Sequence, residues 1–255
     1  MIEKLANQIR KKCVEISKIS TGCHLGGSLS VTDILSVLFA KCYEPTRGDT
    51  IILSKGHCAA ALYATLYELG LIAYDPAITY GQRDSLFTGH PNDKIPHIYF
   101  STGSLGHGLS LGLGWALGQQ LSKTNGMTYV IVGDGELQEG SCWEALQVAA
   151  SKKIKNFIVI VDKNKAQNDG WIKDISPVDN LIEKAKSFGM HVITVNGHDH
   201  AALYESVYSY QTEPLFIVAE TTKGKGIRQL ENNYKAHYVT AKVDIAAQWL
   251  RELGA

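Results

Sequence analysis

No apolar run among the 255 residues approaches the ~20 that an α-helix needs to cross a bilayer. The opening stretch, MIEKLANQIRKKC, has no apolar core of the kind a secretory signal requires. Neither a membrane-spanning helix nor export is expected. Net charge is missing too: 25 Lys and Arg balance 25 Asp and Glu, so no electrostatic footprint for nucleic acid or an anionic membrane follows. Cysteine is sparse and odd in number, five in all (Cys13, Cys23, Cys42, Cys58, Cys142), without metal-ligand spacing. Reduced thiols and a cytoplasmic location are the expectation. Repeats, low-complexity tracts and linker-like stretches are also absent. A chain of this length can bury one large core, and residues 1–255 are read as a single domain.

What the sequence does contain is an alternation of helical and strand periodicities. Ile2, Leu5, Ile9, Cys13, Ile16 and Ile19 mark the apolar stripe of a first helix. Residues 20–30 read as a Gly/Ser turn, Thr32-Asp33 opens a second helix that stops before Pro45, and 51–54 is a short strand. An Ala-rich helix then runs to Gly70, a loop covers 80–98, and a glycine-studded helix starts over 101–106. Glycine lowers helix propensity, so close helix packing is the expected reason for Gly112, Gly114 and Gly118. Farther on, helices at 177–188, 199–210 and about 241–253 alternate with strands at 190–195 and 215–220. In the last helix Val243, Ala247 and Leu250 share a face. The alternation predicts an α/β fold with a doubly wound, mostly parallel sheet flanked by helices.

The most informative stretch is 129–170. Residues 129–132 form a β-branched run that reads as a buried strand. Gly133-Asp134-Gly135 then makes a turn expected to be too tight for a side chain at either glycine. Trp143, Leu146 and Ala150 recur at helical spacing over 139–153, and a second apolar strand, 157–161, ends in Asp162-Lys163-Asn164-Lys165-Ala166. Such a β-α-β unit sets Asp134 and Asn164 at the carboxyl ends of neighbouring parallel strands, where ligands bind in open α/β sheets. A carboxylate, an amide oxygen and the Ala166 carbonyl are hard oxygen donors of the kind magnesium takes together with phosphate oxygens. The amides of Gly135 and Glu136 open toward a helix start, where a phosphate is welcome. In isolation the better reading is Asp134 as a turn residue and Asn164 as a helix or turn cap. Spacing separates the two readings: 28 residues lie between Gly135 and Asn164, as in the thiamin diphosphate motif. Lys163 stands where that motif usually has its first asparagine. From about Ile9 to about Tyr238 the chain resembles the amino-terminal, diphosphate-binding part of transketolase. The resemblance is more specific to the smaller subunit of transketolases split over two genes.

That resemblance implies thiamin diphosphate and Mg2+ as cofactors, with Asp134, Asn164 and the Ala166 carbonyl on the metal and Gly135 and Glu136 beside the diphosphate. It also gives four loop histidines a joint role. His57, in Ser54-Lys55-Gly56-His57, would hydrogen-bond a cofactor phosphate. His24 (Cys23-His24-Leu25-Gly26), His90 (Gly89-His90-Pro91) and His237 (Lys235-Ala236-His237) would line the cofactor and donor-sugar pocket and aid proton transfer. Imidazole suits that work because it donates or accepts near neutral pH. Gly103-Ser104-Leu105 matches the family's Gly-Pro-Leu, whose backbone packs beside the cofactor rings. Glu139 and Glu144, otherwise a solvated helix face, match glutamates that meet at a subunit interface. Asn168 departs from a usual apolar residue, Tyr238-Val239-Thr240 replaces Gly-Ala-Pro, and His107 stands where glutamine is frequent and receives no role. His97, His191, His198 and His200 have no counterpart and read as surface or capping residues.

The activity implied is transfer of a two-carbon ketol unit from a ketose donor, expected to carry phosphate, to an aldose. A partner chain, the C-terminal transketolase subunit with its pyrimidine-binding domain, would supply the activating glutamate. A heterotetramer, inactive as single chains, is expected. A 1-deoxyxylulose-5-phosphate synthase-like or other thiamin diphosphate reaction is the alternative, since His24-Leu25-Gly26-Gly27-Ser28 resembles that enzyme. A non-catalytic regulatory partner is a third reading. The four histidines and Thr221-Thr222-Lys223-Gly224-Lys225-Gly226 favour a sugar donor. A dinucleotide-binding oxidoreductase would need G-x-G-x-x-G after a strand, and Gly133, Gly135 and Gly140 are two residues too widely spaced.

Overall fold

The computed structural model describes every residue except Ser20, Asp179, Tyr210, Gln211 and Ala255. Its strands are β1 (Thr50–Leu53), β2 (Thr128–Gly133), β3 (Phe157–Lys163), β4 (His191–Asn196) and β5 (Leu215–Glu220). They pair in the order β1-β2-β3-β5-β4, and every pairing is parallel. Parallel sheets need both faces covered, so their inner strands are apolar without interruption. β2 is accordingly buried along its whole length and β3 along all but its last residue.

Successive side chains on a strand point to opposite faces, and here they feed two cores. Tyr129, Ile131, Ile158, Ile160 and Ile217 join the larger one, with α1 (Ile2–Ser17), α2 (Leu25–Val37) and α3 (Ala59–Glu68). After the single turn α4 (Pro76–Thr79) comes α5 (His107–Leu121), which with α6 (Gly140–Ser151) covers the other face over Val130, Val132, Val159 and Phe216. A second single turn, α7 (Ile172–Ile175), precedes α8 (Leu181–Phe188) on that same face. α9 (His200–Tyr208) and α10 (Val243–Glu252) return to the first face. This is the doubly wound, helix-flanked parallel sheet that the sequence predicts.

Four details differ from expectation. α2 begins at Leu25, seven residues before Thr32, so the glycines expected in a turn lie in a fully buried helix. Close approach explains them: a Cβ on Gly27 would stand 2.7 Å from Cys58 Sγ. Tertiary burial outweighs their poor helix propensity. Through a π-helical turn, Leu38–Cys42, the same helix becomes an 18-residue apolar segment long enough to cross a membrane, and 89% of it is buried inside the protein. Along α5, Gly112 packs tightly, with a Cβ there 3.3 Å from Ile52 Cδ1, whereas Gly114 and Gly118 meet no atom within 4 Å. In α10 the buried residues are Ala246 and Trp249, and Val243 is 76% exposed, so the buried face is offset from the expected one. α8 starts at Leu181 rather than 177, behind a left-handed Asn180. The far end expected for α9, Tyr210, lies outside the described residues.

Candidate active site

β2 and β3 run in register to Gly133 opposite Asp162, so Asp134 and Asn164 leave the sheet side by side at its carboxyl edge. Lys55 lies two residues past the end of β1 and Lys223 three past the end of β5. Four neighbouring strand ends thus deliver their side chains to one cavity of about 380 Å³. Asp134 is buried there, its Oδ1 accepting from the Gly135 N–H at 3.0 Å and its Oδ2 from the Lys165 N–H at 2.6 Å. No Lys, Arg or His among the described residues forms an ion pair with it. Burial without a paired cation pushes its carboxyl up to about 7. Asn164 accepts from the Ala166 N–H at 3.2 Å and donates to Ser30 Oγ at 3.1 Å. An acid this buried, with lone pairs to spare beside an amide oxygen, fits a divalent cation that would hold it ionised.

The cavity's own cations are Lys55 and Lys223, both buried. Lys55 Nζ donates to Asp162 Oδ2 at 2.5 Å, in a pair whose side chains are 2% and 0% exposed. Ser30 Oγ donates to the same oxygen at 2.7 Å and Thr221 Oγ1 to the other. Lys223 Nζ points instead at the carbonyls of Ala166 and Gln167, at 3.4 and 3.3 Å, and at His237 Nδ1, at 3.1 Å. Burial and the nearby Lys55 lower its ammonium to about 8. Glu136 ties the floor together: its Oε1 accepts from Ser54 Oγ and from the Gly106 N–H at 2.9 Å, its Oε2 from the Gly133 N–H at 3.1 Å.

Beside this floor the four loop histidines converge. His24 lies 5.3 Å from His57, 6.1 Å from His90 and 5.1 Å from His237, measured between ring centroids, and His57 lies 5.4 Å from His237. Burial first, then neighbouring positive groups, depresses His24 to about 4 and His237 to about 3. Burial and the neighbouring positive groups also push His57 well down, and burial alone lowers the more exposed His90. The imidazoles are therefore neutral at pH 7, able to donate or accept without carrying charge. Among the described residues, nothing partners the buried Nδ1 of His24. Tyr238 closes the cluster, its ring 4.8 Å from that of His24 and its hydroxyl donating to the Thr21 carbonyl.

Two buried ammonium groups, a buried acid without a paired cation among the described residues and four neutral imidazoles are groups chemically suited to a metal-bound polyphosphate with a hydroxylated ligand alongside. Gly133 lines the cavity, and a Cβ there would come no closer than 3.9 Å to any atom of the described residues beyond its chain neighbours. Comparison with known proteins then decides the family. The profile described as "Transketolase, thiamine diphosphate binding domain" matches residues 1–255.

The chain belongs to the transketolase family. It is 39% identical to an apulose-4-phosphate transketolase subunit from Actinobacillus succinogenes, over 99% of this chain and 95% of that protein. The 6-deoxy-6-sulfo-D-fructose transketolase subunit SqwG of a Clostridium species is 34% identical, over 92% and 90%. Against the transketolase of Homo sapiens it is 31% identical across 99% of this chain but spans only 42% of that protein. The crystal structure of Campylobacter jejuni transketolase superposes with a TM-score of 0.91 at 28% identity, again covering 99% of this chain and 42% of the other.

Within this transketolase fold the predicted residues mostly meet. Gly103, Leu105, Asp134, Gly135, Glu136, Asn164, Ala166, His57 and His237 line the cavity, with His24 edge-on to its two histidines and His90 tilted against His24. A Cβ on Gly103 would stand 2.9 Å from His90 Cδ2, which is why a glycine precedes the exposed Ser104. Ser104 itself does not line the cavity. Three local readings change. The turn leaves room for a Cβ at Gly133, and only Gly135 is tight, 3.2 Å from Gln167 Oε1. The Gly135 amide is taken by Asp134 rather than open. The Ala166 carbonyl faces the Lys223 ammonium at 3.4 Å. Glu139 and Glu144 are exposed, Glu139 at the cavity rim, and Asn168 is exposed, donating to Asp169 Oδ1 at 2.9 Å.

Sequence reasoning missed Lys55, Asp162 and Lys223. Lys55 and Lys223 sit inside the very segments that carry His57 and the sugar-donor loop, so a buried-lysine signal was available. It also misjudged His198 and His200, which are partly buried and both bonded to Asp33.

Proposed function

We propose that this chain is the diphosphate-binding subunit of a two-chain transketolase that moves a two-carbon ketol unit from a phosphate-bearing ketose to an aldose. The carrying observation is the convergence of four neutral histidines on a lysine-lined cavity that ends in Asp134 and Asn164. Asp134, Asn164 and the Ala166 carbonyl would hold Mg2+, and Lys55, His57 and Lys223 the diphosphate. When bound, thiamin diphosphate supplies the electron sink for breaking a carbon–carbon bond beside a carbonyl. His24, His90 and His237 are placed to hold the donor's oxygens and to move protons there. The buried, unpartnered Nδ1 of His24 is a polar atom waiting for such an oxygen.

Relatives that are themselves named as transketolase subunits match along almost their whole length, which supports a separate partner chain bearing the pyrimidine-binding domain and the activating glutamate. α5 supports it too: Leu111 and Trp115 are 39% and 37% exposed on the helix where Gly114 and Gly118 leave open space. Glu139 and Glu144 would lie at that interface, in an assembly of two copies of each chain in the cytoplasm. Names of relatives favour phosphorylated or sulfonated sugars, so phosphate-bearing ketoses are the first donors to try.

The test is reconstitution with the chain encoded beside it. Mixing should create ketol transfer that neither chain shows alone, abolished by a chelator and restored by Mg2+. Asp134→Ala should lose both turnover and metal-dependent uptake of thiamin diphosphate. Undiminished cofactor affinity in that variant, or full turnover by the single chain, overturns the reading.

A further inference from the structure

Outside the cavity, Asp33 in the C-terminal half of α2 gathers three donors on a carboxylate only 3% exposed. Oδ2 accepts from Arg10 at 2.5 Å and from His198 Nδ1 at 2.6 Å, and Oδ1 accepts from His200 Nε2 at 2.8 Å. The opposite nitrogen of His198 meets a backbone amide: the Thr222 N–H lies 2.9 Å from Nε2. A backbone N–H can only donate, so Nε2 must keep its lone pair and the ring proton must sit on Nδ1, against Asp33. Asp33 therefore sets the tautomer that lets His198 accept from residue 222.

Residue 222 lies between Thr221 and the cavity lysine Lys223. Thr221 Oγ1 donates to Asp162, the carboxylate that pairs with Lys55, and Lys223 reaches the Ala166 and Gln167 carbonyls and His237. The turn carrying His198 is pressed onto this strand end: a Cβ on Gly197 would stand 3.0 Å from the Glu220 carbonyl oxygen and 3.1 Å from Ala219 Cβ. Without the imidazole, the Thr222 amide would lose its acceptor and one of the ties that aims the next residue.

We propose that His198, its tautomer fixed by Asp33, is a positioning residue that aims Lys223 at the cofactor diphosphate. The inference rests on the proposed function for its ligand. The competing account makes the cluster a tether of α9 to α1 and α2, with no bearing on the cavity.

Two substitutions separate these accounts. In His198→Asn the amide N–H can replace Nδ1 toward Asp33, but nothing stands at Nε2. In His198→Gln the amide oxygen can reach the Nε2 position and accept from Thr222. A buried N–H deprived of its acceptor weakens what depends on it by about tenfold or more. With the reconstituted two-chain enzyme and Mg2+, His198→Asn should raise half-saturating thiamin diphosphate about tenfold and leave kcat at saturation nearly unchanged. His198→Gln should restore most of that affinity. Nitrogen-15 NMR of histidine-labelled full chain, read without cofactor, should show Nδ1 protonated and Nε2 bare. A protonated Nε2, wild-type affinity in His198→Asn, or affinity losses that merely track lost melting temperature in both variants overturns the proposal. Wild-type enzyme that takes up no thiamin diphosphate overturns the proposed function instead, a result the tautomer measurement does not share.

Discussion

Gly133→Ala asks whether the floor glycine serves the fold or the ligand. Its backbone is not left-handed, and its N–H bond to Glu136 Oε2, 3.1 Å, survives the change. The new methyl would find Lys55 Cβ at 3.9 Å and Glu136 Cβ and N at 4.0 Å, ordinary van der Waals distances. The metal- and cofactor-free chain should therefore be as stable as wild type or gain about 0.4–1 kcal/mol, because alanine narrows the unfolded ensemble. For a protein of this size that is a rise of no more than about 4 °C in Tm. A diphosphate lying on Asp134 and the two lysines would meet the methyl directly. Overpacking of this kind costs roughly 1–3 kcal/mol, which is about 5- to 150-fold in cofactor affinity. Thermal denaturation of the free chain and calorimetric titration of the reconstituted enzyme with thiamin diphosphate and Mg2+ read the two effects separately. Gly112→Ala is the control, expected to lose stability against Val130 and Ile52 without a specific effect on the cofactor. A Gly133→Ala chain that is markedly destabilised would refute the claim of room. One with wild-type cofactor affinity would refute the claim that the diphosphate lies there.

Two further outcomes follow from buried charge. Asp162→Asn leaves the Lys55 ammonium, 2% exposed, without its carboxylate, and should lose about 3–5 kcal/mol of unfolding free energy in urea titration; a loss below ~1 kcal/mol would show that the pair is not desolvated as described. The chain should also weaken in mild acid: His24 drops from about 6.5 when unfolded to about 4 when folded. The unfolded state binds the proton first, so stability is whole above about 6.5 and falls with pH toward about 4. His57 and His237 act in the same direction, and His24→Gln should make the urea midpoint shallower against pH; an unchanged slope would remove His24 from that account.

How far the sequence can be read depends on the distance over which each feature is determined. The strand runs at 129–132 and 157–161 and the Asp134-to-Asn164 spacing are local, and the structure places them as read. The same holds for the four histidines, whose flanking glycines mark the loops that carry them. The start of α2 escaped because Gly26 and Gly27 argue for a turn by propensity, whereas packing on Cys58 and Ala236 makes them helical. Gly114 and Gly118 escaped for the converse reason: no atom of the described residues would lie within 4 Å of a Cβ at either. Lys55 meets Asp162 across 107 positions and His198 meets Asp33 across 165. Neither pairing leaves a periodic trace, and a buried charge without its partner in view looks like any surface lysine or histidine.

The two lysines of the cavity perform different work, and the difference follows from their partners. Lys55 is locked to Asp162, so its charge is compensated before any ligand arrives, and it braces Thr221 and Ser30 through the shared carboxylate. Lys223 forms no ion pair among the described residues and spends its protons on two carbonyls and on His237 Nδ1. Because an ammonium only donates, His237 must accept at Nδ1 and carry its proton on Nε2. The same interaction that parks Lys223 thus leaves His237 a neutral donor at Nε2. An arriving diphosphate would draw on the least compensated cation in the cavity, and that cation already touches a histidine assigned to the donor sugar. Lys223 thus lies against both the proposed diphosphate site and His237, as His57 also does.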